Sequence, residues 1–140
     1  MIRSTLMAFG LVLAATTSHA DDVATAHAEM KAMSGAVPSF VEGVADAALP
    51  GMWKTLKGLT FSPDTALDSK TKALVSLAVS AQIPCEYCVF MDTGMARQAG
   101  ATDQEIAEAV AIAAQTRAWS TIFHGTQVDL EQFKVEMGGS

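Results

Sequence analysis

Along the chain, apolar positions recur at spacings of three and four, and no stretch shows the strict alternation of a half-buried strand. The pattern predicts helices throughout. Asp21 and Asp22 suit the cap of a first helix carrying Val23, Met30 and Met33, ended by Ser34-Gly35. Pro38 opens a second, with Phe40, Val41 and Val44 on one side, running to about Leu49. Pro50 suits the first turn of a third short helix containing Trp53 and Leu56, closed by Gly58. Thr60 to Leu67 reads as a loop. Asp68 or Ser69 caps a strong helix whose apolar residues are Leu74, Val75, Leu77, Ala78 and Ile83. Pro84 pushes Ile83 out of helical geometry, so that helix stops there. The next starts at or near Cys85 and runs to Ala99, ended by Gly100. Thr102 and Glu105 form a capping box for a last helix through Ile106, Ala109, Val110, Ala113 and Arg117. Its alanine-rich face suits close helix-on-helix packing. The expected fold class is an all-α bundle forming a single domain.

The N-terminal segment stands apart from this pattern. Arg3 is a positive start, Leu6 to Ala15 are apolar, and Ser18-His19-Ala20 offers small residues at the positions a signal peptidase reads. Residues 1–20 are therefore expected to be a signal peptide, too short to span a bilayer, which takes about 20 apolar residues. The mature chain would be exported to the periplasm or beyond, with no membrane segment left after signal removal. Residues 21–37 are the expected N-terminal helix, 38–136 the helical domain and 137–140 a flexible tail. The full chain has 140 residues, half of them apolar, and a formal charge of −6. That length fits one domain, and that apolar fraction excludes a disordered chain. Losing Arg3 leaves eight basic residues against fifteen acidic, a charge of −7. Such a surface argues against nucleic acid as a partner, because phosphates need Lys and Arg to neutralise them.

There are two cysteines, Cys85 and Cys88, too few for a disulfide framework. A cysteine in the first turn of a helix feels the positive end of the peptide dipoles, which favours its thiolate. Two cysteines three apart also close a disulfide on themselves, which makes the pair a two-electron switch. Export places the pair where disulfides persist. A purely structural bridge is one alternative, although closing four residues constrains the unfolded chain little. Zinc is another, with His27, His124 or Asp92 completing the shell. Covalent haem is excluded, since Val89 and not histidine follows Cys88. No phosphate-cradling glycine loop, Ser-His-acid set or calcium loop is present, and no cofactor or metal is expected.

The run Leu67 to Val79, then Cys85-Glu86-Tyr87-Cys88, resembles the AhpD-like (carboxymuconolactone decarboxylase) family. Thr93-Gly94-Met95-Ala96-Arg97 and Gly100-Ala101-Thr102-Asp103-Gln104-Glu105-Ile106 continue the resemblance, which spans about Pro38 to Gln127. It implies an all-helical fold assembled as homotrimers or homohexamers. It also implies peroxidase or disulfide-reductase chemistry through a redox-active disulfide. On that match Cys88 attacks a small peroxide or disulfide substrate, Cys85 resolves the product, and an external dithiol reduces the Cys85–Cys88 bond.

Two positions depart from the resemblance. The peroxidase members carry a glutamate where this chain has Ala73, and a histidine where it has Asp92, so their proton relay is missing. Asp92 is one helical turn after Cys88 and on its face. At about 5–6 Å and an effective dielectric near 20, an ionised carboxylate there opposes a thiolate by roughly 3 kcal/mol. A buried Asp92 could instead serve as a base for thiol exchange. His124 precedes Gly125 at a helix end, where it suits the dipole or acts as a substitute proton shuttle. His27 and Glu86 are expected in solvent and Tyr87 beside the pocket, with Trp53, Trp119 and the methionines in core or subunit interface. Three classes follow: a thiol oxidoreductase, a non-catalytic binding member of the fold, and a lactone decarboxylase. Retention of the cysteine pair counts against the last.

Overall fold

The computed structural model describes residues 10–138, with side chains from residue 19 onward. Among them there are helices and no strands, which agrees with the all-α expectation. Internal contacts divide the chain into two compact units, Met1–Ser62 and Pro63–Ser140.

The first unit holds α1 (Gly10–Ser34), a 3-10 turn (Ser39–Gly43) and α2 (Leu49–Thr55), which continues as a π-helical turn over Leu56–Phe61. Residues 1–9 of the expected signal peptide lie outside the described residues. Its remainder is continuous with α1, so Asp21 and Asp22 lie inside a helix and do not cap one. No Gly or Pro stands between Leu11 and Ser34 to interrupt it. Gly35, at φ +84°, ends α1 as expected, in a conformation that only glycine adopts freely. No described helix is long and apolar enough to cross a membrane. The helix expected from Pro38 to Leu49 contracts to the single 3-10 turn. Short helices are marginal without packing, and here only Val41 and the terminal Leu49 are buried. Gly58 does not close α2. A helical glycine costs only about 1 kcal/mol, and the π turn brings Phe61 edge-on to Trp53, with ring centroids 6.4 Å apart. The core joins Ala26 and Met30 of α1 to Val41, Leu49 and Trp53. Glu29 crosses the same contact: its Oε2 accepts from Trp53 Nε1 and Lys57 Nζ, each at 2.6 Å.

The second unit holds α3 (Ser69–Gln82), α4 (Glu86–Gln98), α5 (Asp103–Gly125) and α6 (Leu130–Glu136). Asp68 caps α3 by accepting from the Thr71 amide at 2.7 Å. The capping box opens α5, with Thr102 Oγ1 accepting from the Glu105 amide and Glu105 Oε2 accepting from the Thr102 amide. Lys70 and Glu105 pair at 2.8 Å, which sets the starts of α3 and α5 side by side. Gly100, at φ +85°, ends the α4 turn as expected. At the seam of the three helices, Ala73, Ala96 and Ala101 pack together with Leu74, Met95 and Ile106 against them. Small side chains there let the helix axes approach closely. The buried face of α3 is Ala73, Leu77 and Ser80, while the apolar Val75 and Ile83 are exposed. No residue of α5 is fully buried. Asp129 caps α6, a helix the sequence pattern did not single out.

Candidate active site

The site is made where α3 gives way to α4. Pro84 cannot continue α3, and the last α3-type bond runs from the Ile83 amide to Val79 O at 3.1 Å. The Cys85 amide then turns back to Ser80 O, also at 3.1 Å. Ser80 is buried and was not foreseen as a site element, although it lies three residues after Leu77 on the same helical face. Cys85 itself is extended, at φ −96° and ψ 98°, and is the N-cap of α4. Serine, threonine, aspartate or asparagine usually takes that position, where a side chain must accept from a free helix amide. Here the acceptor is Cys85 Sγ, 3.3 Å from the Cys88 amide.

Cys88 is thus the third residue of α4, and its sulfur is bonded to that of Cys85 across a Cα–Cα distance of 5.3 Å. Both cysteines are half-buried, so an incoming reagent reaches them from one side. Once the bond is opened, the Cys88 amide that now faces Cys85 Sγ would face a thiolate there, and the helix start favours that charge.

Asp92 stands one turn further along α4. It is 8% exposed, and no hydrogen bond or ion pair engages it among the described residues. Asp92 lies on the helical face of Cys88, one turn away, which makes that cysteine the nearest reactive group along its own helix. On α3, Ala73 is 1% exposed and is taken up by the packing against Ala96. A methyl group therefore fills the place where the resemblance has a glutamate.

His124 lies elsewhere. It is exposed in the last turn of α5, on a cleft of about 820 Å³ shared with Trp119, Phe123, Phe133 and Met137. Phe123 stacks on Trp119 and tilts against Phe133, with centroids 5.6 and 5.2 Å away. With Lys70 and Glu105 side by side, α5 outruns α3. Among the described residues no hydrogen bond, ion pair or ring contact joins His124 to either cysteine. His27 is half-buried on α1 and not in solvent as expected, because its neighbour Ala26 packs into the core of the first unit. Glu86 is exposed, as expected, and Tyr87 is turned out to 79% exposure rather than lining a pocket. Trp53 is core, whereas Trp119 is half in solvent. Among the described residues no three His, Cys, Asp or Glu side chains gather as metal ligands, so the zinc alternative finds no completed shell.

Comparison with known proteins fits this arrangement. The crystal structure of the alkylhydroperoxidase AhpD core from Rhodospirillum rubrum is similar, with a TM-score of 0.68 and 27% identity. The match covers 85% of this chain and 90% of that one. An uncharacterised protein of the cox locus of Paracoccus denitrificans is 34% identical over 83 residues, 59% of this chain and 74% of that protein. The profile of the carboxymuconolactone decarboxylase family matches residues 47–129, across the boundary between the two units. On the strength of that match, the chain belongs to the carboxymuconolactone decarboxylase family, with an AhpD-like fold.

Proposed function

We propose that this protein is an exported thiol oxidoreductase that cycles the Cys85–Cys88 pair between dithiol and disulfide. The observation that carries the reading is the bonded pair itself, at the cap and third residue of α4. The Cys88 thiolate attacks the terminal oxygen of a small peroxide. The alcohol leaves with one proton, and Cys88 becomes a sulfenic acid. Cys85 condenses with it, forming the S–S bond and releasing water. With a disulfide substrate, the Cys88 thiolate instead breaks the substrate S–S bond, forming a mixed disulfide and displacing one thiolate, and Cys85 then attacks the Cys88 sulfur, closing the Cys85–Cys88 bond and releasing the second. In either cycle an external dithiol supplies the two electrons that reopen the bond.

Ala73 and Asp92 favour disulfide exchange over fast peroxide reduction. Peroxide attack needs an acidic thiol and a proton for the leaving oxygen, and the residues at the relay positions are a methyl group and a carboxylate. His124, on the cleft between α5 and α6 and without a contact to either cysteine, would serve as a shuttle only through solvent. Export rests on Arg3, the apolar run to Ala15 and Ser18-His19-Ala20. Assembly into a homotrimer or homohexamer is supported by α5, whose Ile112, Trp119 and Ile122 are between 47% and 63% exposed. Apolar surface of that extent on one helix marks a contact with another molecule.

The test is turnover of the reduced mature protein with a peroxide or a disulfide, coupled to dithiothreitol. Cys88→Ser is expected to abolish turnover. Unchanged turnover in that variant would remove the site assignment. Absence of wild-type turnover with every oxidant would leave a binding member of the fold.

A further inference from the structure

The chain has two cysteines and both are in the disulfide, so the electrons that reopen it come from another molecule. The surface beside the bond is apolar. Tyr87, Phe90 and Met91 fall at positions i, i+3 and i+4 on one face of α4, away from the buried Asp92 and Ala96. Tyr87 is 79% and Phe90 82% exposed, and Ile83, at the turn before Cys85, is 61% exposed. Cys88 borders this face, next to Tyr87 and three residues before Met91. Exposed apolar side chains grouped in this way mark an interaction site. From Ala73 to Ala96 there is no Lys, Arg or His, and the only charged residues are Glu86, exposed, and Asp92, buried.

Resting on the thiol-oxidoreductase reading above, we propose that the reductant is a polypeptide dithiol. It docks apolar residues next to its own cysteines on Tyr87, Phe90 and Ile83, with a cationic side chain toward Glu86. A small anionic thiol gains nothing from the apolar face and is repelled by the Glu86 carboxylate. A peptide with apolar and basic flanks gains from both. In the step itself, one partner thiolate attacks a sulfur of the Cys85–Cys88 bond. That bond breaks, a mixed disulfide forms, and the other cysteine leaves as a thiolate. The second partner thiol then attacks the partner sulfur of the mixed bond and releases the remaining cysteine. The partner ends as a disulfide, having given up two electrons, and its two protons end on Cys85 and Cys88.

The experiment reduces the oxidised full protein with four probes at equal thiol concentration: dithiothreitol, glutathione and two synthetic Cys-x-x-Cys peptides of equal length. One peptide carries Leu, Phe and Lys around its cysteines, the other Ser and Glu. Quenched samples are alkylated and the two-thiol form is counted by mass. The apolar, basic peptide is expected to react at least tenfold faster than the polar, acidic one. Phe90→Ser, or Ile83→Ser as a second surface variant, should bring that ratio towards one, and Glu86→Gln should weaken its dependence on salt. Equal rates for the two peptides, or a ratio that survives Phe90→Ser, would overturn the proposal. So would a change of sedimenting mass in Phe90→Ser, which would assign the face to a second copy of the chain. Failure of the dithiothreitol-reduced protein to turn over with any oxidant would instead remove the underlying redox reading.

Discussion

Replacing Asp92 by Asn tests what sets the reactivity of the pair. Asp92 is 8% exposed, one turn after Cys88, and without a hydrogen-bonding or ionic partner among the described residues. Residues four apart on a helix are about 5–6 Å apart at their Cβ atoms. At an effective dielectric near 20, a charge at that distance opposes a thiolate by roughly 3 kcal/mol. The helix start works the other way and is typically worth about 0.3–1 kcal/mol, up to about 2 when partly buried. A carboxylate charge at that distance is the larger of the two effects, so removing it should make Cys88 of the reduced protein react faster with an alkylating reagent at neutral pH. Asn keeps the shape and removes the charge. With about 1.4 kcal/mol per factor of ten, and some screening by water at a half-buried sulfur, the thiolate fraction at neutral pH should rise roughly ten- to a hundredfold. The assay is the rate of alkylation of reduced protein against pH, with the modified cysteine identified by mass. The midpoint should move about one to two pH units lower in Asp92→Asn, and further in Asp92→His, where a cation replaces the anion. A midpoint that stays in place in a folded Asp92→Asn protein would refute the charge argument, since Asp92 would then carry no charge towards the sulfur.

Two further predictions concern the scaffold that holds the site. Leu77 is 1% exposed at the α3 seam, so Leu77→Ala should cost about 2–5 kcal/mol in urea unfolding. Val75→Ala, two residues away but 53% exposed, should cost less than about 0.5 kcal/mol, and equal costs would place the wrong face of α3 inside. Glu105 is held well below the usual carboxylate range, at about 2, chiefly by the hydrogen bond from Lys70 and then by the Thr102 amide. A depressed carboxyl contributes stability that is fully present above its unfolded value near 4.5 and is lost as pH falls towards 2. The urea midpoint of Glu105→Gln should therefore lie below that of wild type at pH 6 and converge with it by pH 2. A gap that stays constant across that window would show that the carboxylate charge is not what Glu105 contributes.

What could be read from the chain was mostly what neighbouring residues decide among themselves. Asp68, Thr102 with Glu105, Gly35 and Gly100 each solve the problem of free backbone groups at a helix end, and each does so within four residues. Pro84 belongs with them, because its effect on Ile83 is steric and local, and it fixed the start of α4 at the cysteines before any packing was known. What could not be read depends on partners distant in sequence. Val75 and Ile83 carry the apolarity of core residues, yet the face that packs is set by small Ala73 and Ala96, whose value lies in letting two axes approach. Gly58 looked like an end because the contact of Phe61 with Trp53, which carries the chain past it, is invisible to local pattern. The burial of Asp92 is of the same kind, since helical spacing placed it on the face of Cys88 without showing how far that face would be covered.

That burial changes what the two departures from the family mean together. A relay across the α3–α4 seam needs a polar group on each helix. With Ala73 packed against Ala96, α3 offers a methyl and closes the seam, leaving Asp92 with no partner across it. With Ser80 Oγ already given to Leu77 O, two routes for a proton to Cys88 stand out: its own helix, by way of Asp92, or solvent at the open side of the pair. The first route would make rate depend on the state of one carboxyl, the second on the surface formed by Ile83, Tyr87 and Phe90. The mutations separate them: Asp92→Asn acts on the alkylation midpoint whatever the reagent, whereas Phe90→Ser acts on the choice between reagents and leaves the midpoint in place. If Phe90→Ser moved the midpoint as far as Asp92→Asn does, the two routes would be one, and the division of labour argued from the seam would be wrong.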